Sequence, residues 1–280
     1  MYFIINNLEQ VTALLGKGQS VETPVDHIKY SLFLAFAIIS SFVLAFRKEF
    51  KKPAIKFPSS VYLLISLYLF IFLHFLAVRS GLVVAYLVGC LAIANEIRIQ
   101  KKLMLAIPLI AIVSLIPIGS YLLIPSVKAK IGYMLYDFNK YRQGQGSNYS
   151  DSERIHSIKA GLQLFSENKI LGTGIGDLQE ECSDLMAQKL GRQTNKYPHN
   201  QFVFMLSGIG IVGFLLFCLS FFYPWSLFRS ENWLFVFLGL LLFFSFWVEN
   251  TLERSYSIAF FCFFYASGII KSLEHNLVKK

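Results

Sequence analysis

The chain has 280 residues, of which 55% are hydrophobic and only 15% are charged. Soluble domains carry about 25% charged residues, so this composition excludes an ordinary soluble domain. The net charge of +9 would suggest nucleic acid as the partner of a soluble protein. Because most basic residues lie in short segments between apolar runs, we interpret them as orienting the chain in a membrane and expect no nucleic-acid partner.

The N-terminus and the cysteines suggest neither a leader nor a metal site. Residues 1–19 lack the basic start and apolar core of a signal peptide, so we expect insertion to depend on the first membrane helix. The four cysteines show no metal-ligand spacing and no readable disulfide framework. They are Cys90, Cys182, Cys218 and Cys262.

Apolar runs of roughly the 20 residues needed to cross a membrane recur along the chain. They predict an all-α polytopic membrane helix bundle with about seven spans. The fourth run contains Pro108 and Pro117, which a bundle tolerates because neighbouring helices can satisfy the freed carbonyls. The predicted spans are residues 29–46, 59–78, 80–95, 103–124, 200–222, 233–248 and 256–271.

The basic residues orient these spans. Residues 47–58 hold five Lys/Arg and residues 96–102 hold three, and both segments fall on the same side as the C-terminus if the spans alternate. The positive-inside rule makes that side cytoplasmic, and long loops cross largely regardless of charge. The predicted division is an extracytoplasmic segment 1–28, a four-span region 29–124, a large periplasmic loop 125–199, a three-span region 200–272 and a cytoplasmic tail 273–280.

The large loop is predicted to be partly helical. Residues 139–150 are polar and contain glycines, which favours a flexible segment. Ser150 and Glu153 have the spacing of a capping box, which predicts the start of a helix. A second short helix is expected at about 178–190, after a glycine-rich turn. The first helix carries apolar residues at helical spacing, namely Ile155, Ile158, Leu162 and Phe165.

Two arginines lie at positions where a positive charge is unfavourable. Arg79 interrupts an apolar stretch, and a charge at membrane depth indicates a functional site by default. The alternative is a turn residue whose side chain reaches interfacial water. Arg154 falls in the first turn of the predicted loop helix, where the helix dipole does not favour a cation. A solvated surface arginine is the alternative there.

His199 follows a proline at the outer end of the fifth predicted span. A helix N-terminus disfavours the imidazolium form, and a neutral histidine can accept a proton as a general base must. The alternative is an interfacial histidine that caps the helix. Glu249, Glu253 and Arg254 cluster in the connection between the last two spans, where a solvated turn with a local ion pair is the alternative. His74, within the second span, is interpreted as a packed or interfacial side chain.

These candidates share one side of the predicted topology and could line one cavity at the outer membrane surface. A polar site with two arginines suits a phosphate-bearing lipid. The sequence lacks a P-loop, an HExxH motif and a Gly-x-Ser-x-Gly elbow. Glu180, Glu181 and Asp184 are interpreted as an exposed acidic helix face, so we expect no metal site.

Several short motifs in this order resemble the O-antigen ligase family, which includes O-antigen polymerases and some protein O-oligosaccharyltransferases. Lys169 stands where the family usually has proline, and family members are usually longer, with more spans. We therefore expect the earlier spans to be missing from this chain. The matching strings are DHIKYSL (26–32), AVRSGL (77–82), SER (152–154), NKILGTGIGDL (168–178), PHNQF (198–202) and GIGIVG (208–213).

The resemblance implies a fold similar to the GT-C glycosyltransferases and a bacterial inner-membrane location. It implies transfer of a glycan from an undecaprenyl-diphosphate-type donor to lipid A-core, another glycan or a protein. The reaction would be inverting and would need no metal or cofactor. By matching position, Arg79 and Arg154 would bind the diphosphate and His199 would act as catalytic base. The supporting candidates, on the acceptor side or elsewhere, are Asn200, Glu249, Arg254 and His27.

Two other classes of function stay open at this point. The first is a small-solute transporter, which would place its polar site near the bilayer midplane, between repeats or at broken helices. The second is an inactive or truncated family member that needs a partner, an alternative that the missing spans support.

Overall fold

The computed structural model describes residues 6–46, 57–100, 106–145, 150–194, 196–227 and 233–278. Within these ranges every regular element is helical, which confirms the predicted all-α class. The 3₁₀ turn Tyr223–Leu227 follows the ninth helix. The helices are α1 (Leu8–Gly16), α2 (His27–Phe46), α3 (Ser59–Leu76), α4 (Arg79–Gln100), α5 (Ala106–Leu123), α6 (Pro125–Arg142), α7 (Ser150–Glu167), α8 (Leu178–Leu190), α9 (Gln201–Phe222), α10 (Trp233–Val248) and α11 (Ser255–Val278).

Among the described residues, four segments are long and apolar enough to cross a membrane: His27–Phe46, Ser59–Leu76, Arg79–Ile99 and Gln201–Ser226. Two shorter apolar helices are Leu234–Val248 and Ser255–Lys271. The predicted membrane-helix class is therefore confirmed, whereas the number of seven spans stays a prediction.

The chain divides into two compact units. The first comprises Met1–Tyr133 and Val236–Leu241, and the second comprises Met134–Phe235 and Leu242–Lys280. The unit boundaries fall within α6 and α10. The two units are described separately below.

In the first unit α2 packs against both α3 and α4. Gly81 permits close approach of α4, because a Cβ at this position would lie 2.5 Å from the Ser31 Cβ of α2. The Ser66 hydroxyl of α3 donates to the Ile38 carbonyl of α2 at 3.1 Å. The apolar side chains that α2 buries include Ile28, Leu32, Ala35, Ile39 and Val43.

A tight reversal joins α3 to α4. Ala77 ends α3 with φ 51° and ψ 34°, a left-handed conformation that costs an L-residue about 1–2 kcal/mol. Arg79 then opens α4. The helix α4 is longer than the predicted span 80–95, because it begins at Arg79 and continues through Gln100. The predicted end at residue 95 came from the drop in hydropathy at Asn95. The helix continues past this point because its hydrogen bonds are formed by the backbone and do not depend on side-chain polarity.

The prediction of a flexible segment over residues 139–150 is wrong for residues 139–142, because these form the end of α6. Lys140 and Arg142 occupy its last turn, where cations interact favourably with the helix dipole. Gly144 follows with φ +73°, a conformation that glycine adopts without steric cost. The helix α6 therefore ends just before Gly144, several residues later than the polar composition of residues 139–150 predicted.

The second unit contains α7 and α8, the two helices predicted in the loop, and both are present. They pack with α9 around a buried apolar core. Burial of such side chains is the main term that holds the three helices together, at about 25 cal/mol per Å² of apolar surface. The core residues are Ala160, Leu164, Leu178, Cys182, Met186 and Phe204.

The buried face of α7 is not the apolar stripe indicated by the sequence. Leu162 is 47% exposed. Gly161 instead faces α9, where a Cβ would lie 2.7 Å from the Pro198 Cγ and 2.8 Å from the Val203 Cγ1. Small side chains face inward because α7 and the start of α9 approach closely. The buried residues of α7 are Ser152, Ser157, Ala160, Gly161 and Leu164.

α9 is interrupted by Gly210, whose φ of 64° and ψ of −170° are essentially restricted to glycine. The segment between α7 and α8, residues 168–177, lies against this interruption, and we call it the glycine turn. A Cβ on Gly172 of this turn would lie 2.6 Å from the Gly210 nitrogen. Three backbone hydrogen bonds of 2.8–2.9 Å join turn and helix: Thr173 N to Ser207 O, Gly174 N to Gly208 O and Ile211 N to Lys169 O.

Candidate active site

A buried carboxylate and a histidine form the centre of the candidate site in the second unit. The Nδ1 of His199 lies 3.0 Å from the Glu249 Oε1. The Glu249 side chain is 1% exposed and that of His199 is 17% exposed. An ionised carboxylate only accepts hydrogen bonds, so Nδ1 is the donor in this contact, and a neutral imidazole in this tautomer has its lone pair on Nε2. The sequence analysis placed both residues on one side of the predicted topology but did not predict this contact.

Arg154 approaches the same carboxylate from α7. Its Nη2 lies 3.9 Å from the Glu249 Oε2, and its side chain is 27% exposed. Two acidic residues, Asp151 and Glu153, lie close to Arg154 in the sequence. Glu153 forms ion pairs with Arg192 and, at 3.8 Å, with Lys196. The Arg154 side chain therefore lies next to a buried carboxylate and is itself partly exposed to solvent.

Ser157 ties α7 to the histidine, and no sequence signal marked it. Its hydroxyl accepts from the His199 backbone N–H at 3.2 Å and donates to the Arg154 carbonyl at 2.8 Å. The residue is fully buried. A buried hydroxyl satisfied in both directions holds its partners in one arrangement. The backbones of the arginine and the histidine are thus joined through one side chain.

Asn200, one of the supporting candidates, caps α9. Its Oδ1 accepts from the backbone N–H groups of Phe202 and Val203 at 3.0 and 3.1 Å, as expected of a strong N-cap residue. Its Nδ2 donates to the Trp247 carbonyl at the end of α10 at 3.1 Å. One side chain therefore fixes the start of α9 against the helix that leads to Glu249.

Gln201 makes the second link between α9 and the connection after α10. It is fully buried, and its Oε1 accepts from the Leu252 backbone N–H at 2.8 Å. Arg254, further along this connection, pairs with Glu253 at 3.1 Å and is 62% exposed. The three charged residues grouped by the sequence therefore divide: Glu249 joins the histidine, and the other two form a local ion pair.

The start of α7 is held by Asp137 of α6. The Asp137 Oδ2 accepts from the Asp151 backbone N–H at 2.7 Å, and its Oδ1 accepts from the Ser152 hydroxyl. Asp137 is fully buried. A carboxylate at a helix N-terminus is favourable because the helix dipole is positive there. This anchor orients the turn of α7 that carries Arg154.

Two titratable groups near the site have shifted pKa values. Burial raises the pKa of the Cys182 thiol to about 12, so this cysteine is not a nucleophile at neutral pH. Burial also lowers the pKa of His156, and the nearby Lys159 and Lys189 lower it further. Neither group contacts the His199–Glu249 pair in the described hydrogen bonds.

Arg79 lines a cleft of about 490 Å³ in the first unit. Lys130 of α6 lines the same cleft, and none of the described residues that line it is a carboxylate. Most of the other lining side chains are apolar, including Leu82, Val83 and Leu87. A cavity of this kind combines positive charge with an apolar wall. It matches a lipid whose head is anionic.

His74 and His27 also belong to the first unit. The His74 Nδ1 lies 2.8 Å from the Phe70 carbonyl, and its Nε2 lies 2.7 Å from the Tyr86 hydroxyl. His74 is thus the packed side chain that the sequence indicated. His27 opens α2 beside Asp26, whose Oδ1 accepts from the Ile28 backbone N–H at 3.0 Å. In the described residues no group of three or more His, Cys, Asp or Glu could hold a metal ion.

A family model described as O-antigen ligase matches residues 62–218, which is more than half of the chain. The chain belongs to the O-antigen ligase family. The matched region includes Arg79, Arg154 and His199, whereas Glu249 lies beyond it. Membership places the protein among membrane glycosyltransferases of the O-antigen ligase and polymerase type, which use a lipid-linked glycan donor and a glycan acceptor. No curated protein matches the chain.

Proposed function

We propose that the chain transfers a glycan from a polyprenyl diphosphate to a hydroxyl of an acceptor such as lipid A-core, with His199 as the general base. The observation that carries the proposal is the 3.0 Å contact between His199 Nδ1 and the buried Glu249 carboxylate. A carboxylate on Nδ1 holds the tautomer whose Nε2 can accept a proton, and it stabilises the imidazolium that then forms.

The chemistry follows from this pair. The acceptor hydroxyl gives its proton to His199 Nε2 while its oxygen forms a bond to the anomeric carbon of the donor sugar. The bond between that carbon and the diphosphate oxygen breaks, and the diphosphate leaves with the electron pair. Direct attack inverts the anomeric configuration. A positioned general base contributes a factor of about 10²–10⁴ to the rate of such a step.

The two arginines supply positive charge for the leaving group. Charge develops on the diphosphate oxygen as the glycosidic bond breaks, and preorganised cations stabilise it. Arg154 is supported by its place beside Glu249 and by its partial exposure. Arg79 is supported by the matching family motif and by its cleft, in which Lys130 is a second cation and the apolar wall suits a prenyl chain.

The proposal is tested by complementation of a host that lacks its O-antigen ligase and by transfer assays with purified protein. We expect wild type to attach glycan to lipid A-core. His199→Ala is expected to lower transfer by a factor on the order of 10²–10⁴. Arg154→Ala and Arg79→Ala are each expected to lower it by a factor on the order of 10²–10³.

Arg142→Ala is the matched control, because Arg142 is exposed at the end of α6. It should retain wild-type transfer at equal membrane abundance. Loss of transfer in Arg142→Ala, or full transfer by His199→Ala, would contradict the assignment. Polymerised glycan on the carrier without transfer to lipid A-core would identify the acceptor as another carrier-linked glycan.

A further inference from the structure

The glycine turn exposes apolar side chains at its tip. Leu171 is 75% exposed, Ile170 is 67% exposed and Ile175 is 43% exposed. These three residues lie within six positions of one another in a segment that is otherwise mostly glycine and polar. Exposed in water, each would lose the roughly 1.5–3 kcal/mol that burial of such a side chain provides. A cluster of this kind indicates a contact surface.

The turn is hydrogen-bonded to the body of an apolar segment long enough to span a membrane. Its bonds reach Ser207, Gly208 and Ile211 of α9, within the candidate span Gln201–Ser226. Ser207 lies six residues after the start of α9, about 9 Å along the helix axis, and Ile211 follows the interruption at Gly210. The next exposed residues of α9, Val212 and Leu215, are 49% and 60% exposed. The tip of the turn is therefore continuous with an apolar surface of the span.

We propose that the glycine turn is inserted into one leaflet of the bilayer, with Ile170, Leu171 and Ile175 in contact with lipid hydrocarbon. Segment 125–199 is then not wholly outside the membrane, because it enters at this turn. The occupant of the exposed surface is hydrocarbon and not a protein, because the exposed side chains continue the apolar surface of α9.

Non-helical backbone is tolerated at membrane depth only where protein satisfies its polar groups. Part of the turn's backbone meets this requirement through α9, because Thr173 and Gly174 donate to α9 carbonyls and the Lys169 carbonyl accepts from Ile211. Positive-φ glycines allow the turn to approach the interrupted helix this closely, with Gly172 and Gly210 in direct apposition. Lys169 is exposed, and its long stem lets the ammonium reach the headgroup region.

The test measures the depth of a nitroxide attached to Leu171→Cys in the full chain reconstituted into phosphatidylcholine and phosphatidylglycerol vesicles. Cys90, Cys218 and Cys262 are replaced by serine, whereas the buried Cys182 with its raised pKa is retained. Collision with dissolved oxygen reports hydrocarbon, and collision with a water-soluble nickel complex reports the aqueous phase. Gln188→Cys, on an exposed position of α8, is the matched control.

At position 171 we expect at least threefold greater collision with oxygen than with the nickel complex, and the reverse ratio at position 188. Equal nickel accessibility at both positions would overturn the proposal. A label shielded from both reagents would also overturn it, because that result indicates protein at the tip. Each variant is first shown to be folded by its thermal midpoint, and Ile170→Cys provides a second reading if Leu171→Cys fails this check. The result does not depend on the proposed transferase activity.

Discussion

At the level of single residues, the candidate site depends on the burial of one carboxylate, that of Glu249. Glu249 and Glu253 lie four residues apart. Glu249 is 1% exposed and contacts His199, whereas Glu253 pairs with the exposed Arg254. A buried charge is costly unless it is paired, so the burial of Glu249 between a histidine and an arginine indicates a role in the site.

We expect Glu249→Gln to lower kcat by a factor on the order of 10²–10⁴ with little change in KM. The amide can still contact Nδ1, but it lacks the charge that stabilises the imidazolium. The measurement is steady-state glycan transfer in detergent or vesicles. Glu253→Gln is the matched control from the same connection and should retain wild-type kcat. Equal kcat for wild type and Glu249→Gln would remove the carboxylate from the mechanism.

At the level of elements, the site is positioned by the contact between the glycine turn and the interruption in α9. The turn continues directly from α7, which carries Arg154, and α9 begins two residues after His199. The backbone bonds between the turn and α9 therefore fix the two helices that hold the arginine and the histidine. Gly210 is required because its conformation is essentially restricted to glycine.

Gly210→Ala is expected to lower the free energy of unfolding by about 1–3 kcal/mol from backbone strain alone. The added Cβ would also meet the Ile170 carbonyl, so the loss should lie at or above the upper end of that range. The measurement is the thermal midpoint in detergent. Gly176→Ala is the control, because a Cβ there meets nothing within 4 Å. A Gly210→Ala midpoint equal to that of Gly176→Ala would show that the interruption is not needed.

At the level of the whole molecule, the candidate residues divide between two compact units. The first contains Arg79 and its cleft, and the second contains the His199–Glu249–Arg154 cluster. The common side of the membrane for these residues is a prediction from the distribution of basic residues. Glycan transfer outside the cytoplasm requires that prediction to hold.

Reporter fusions test it directly. Alkaline phosphatase, which is active only outside the cytoplasm, should be active when fused after Gln145 and inactive when fused after Lys280. Green fluorescent protein at the same two positions should give the opposite result, because it folds to a fluorescent state in the cytoplasm. Phosphatase activity at Lys280 together with its absence at Gln145 would invert the topology and place Arg154 and His199 in the cytoplasm.

The sequence by itself determined the class of the protein and the chemistry of its candidates. Apolar runs of span length require membrane helices, because lipid offers no partner for backbone polar groups. The helices at 150–167 and 178–190 were also predictable, since apolar periodicity and glycine-rich boundaries are local properties. Motifs near Arg79, Arg154 and His199 indicated the family, which the match over residues 62–218 shows.

Only the tertiary structure decided which of these residues meet. Glu249 and His199 are 50 positions apart, and nothing in the local sequence separates a buried glutamate from a solvated one. Ser157 looked unremarkable because its role arises from the approach of α7 to His199. The small side chains on the buried face of α7 could likewise not be predicted. Hydropathy indicates which side chains avoid water, but it does not indicate how closely two helices approach. Contacts between distant segments depend on the packing of the whole unit, which local patterns do not specify.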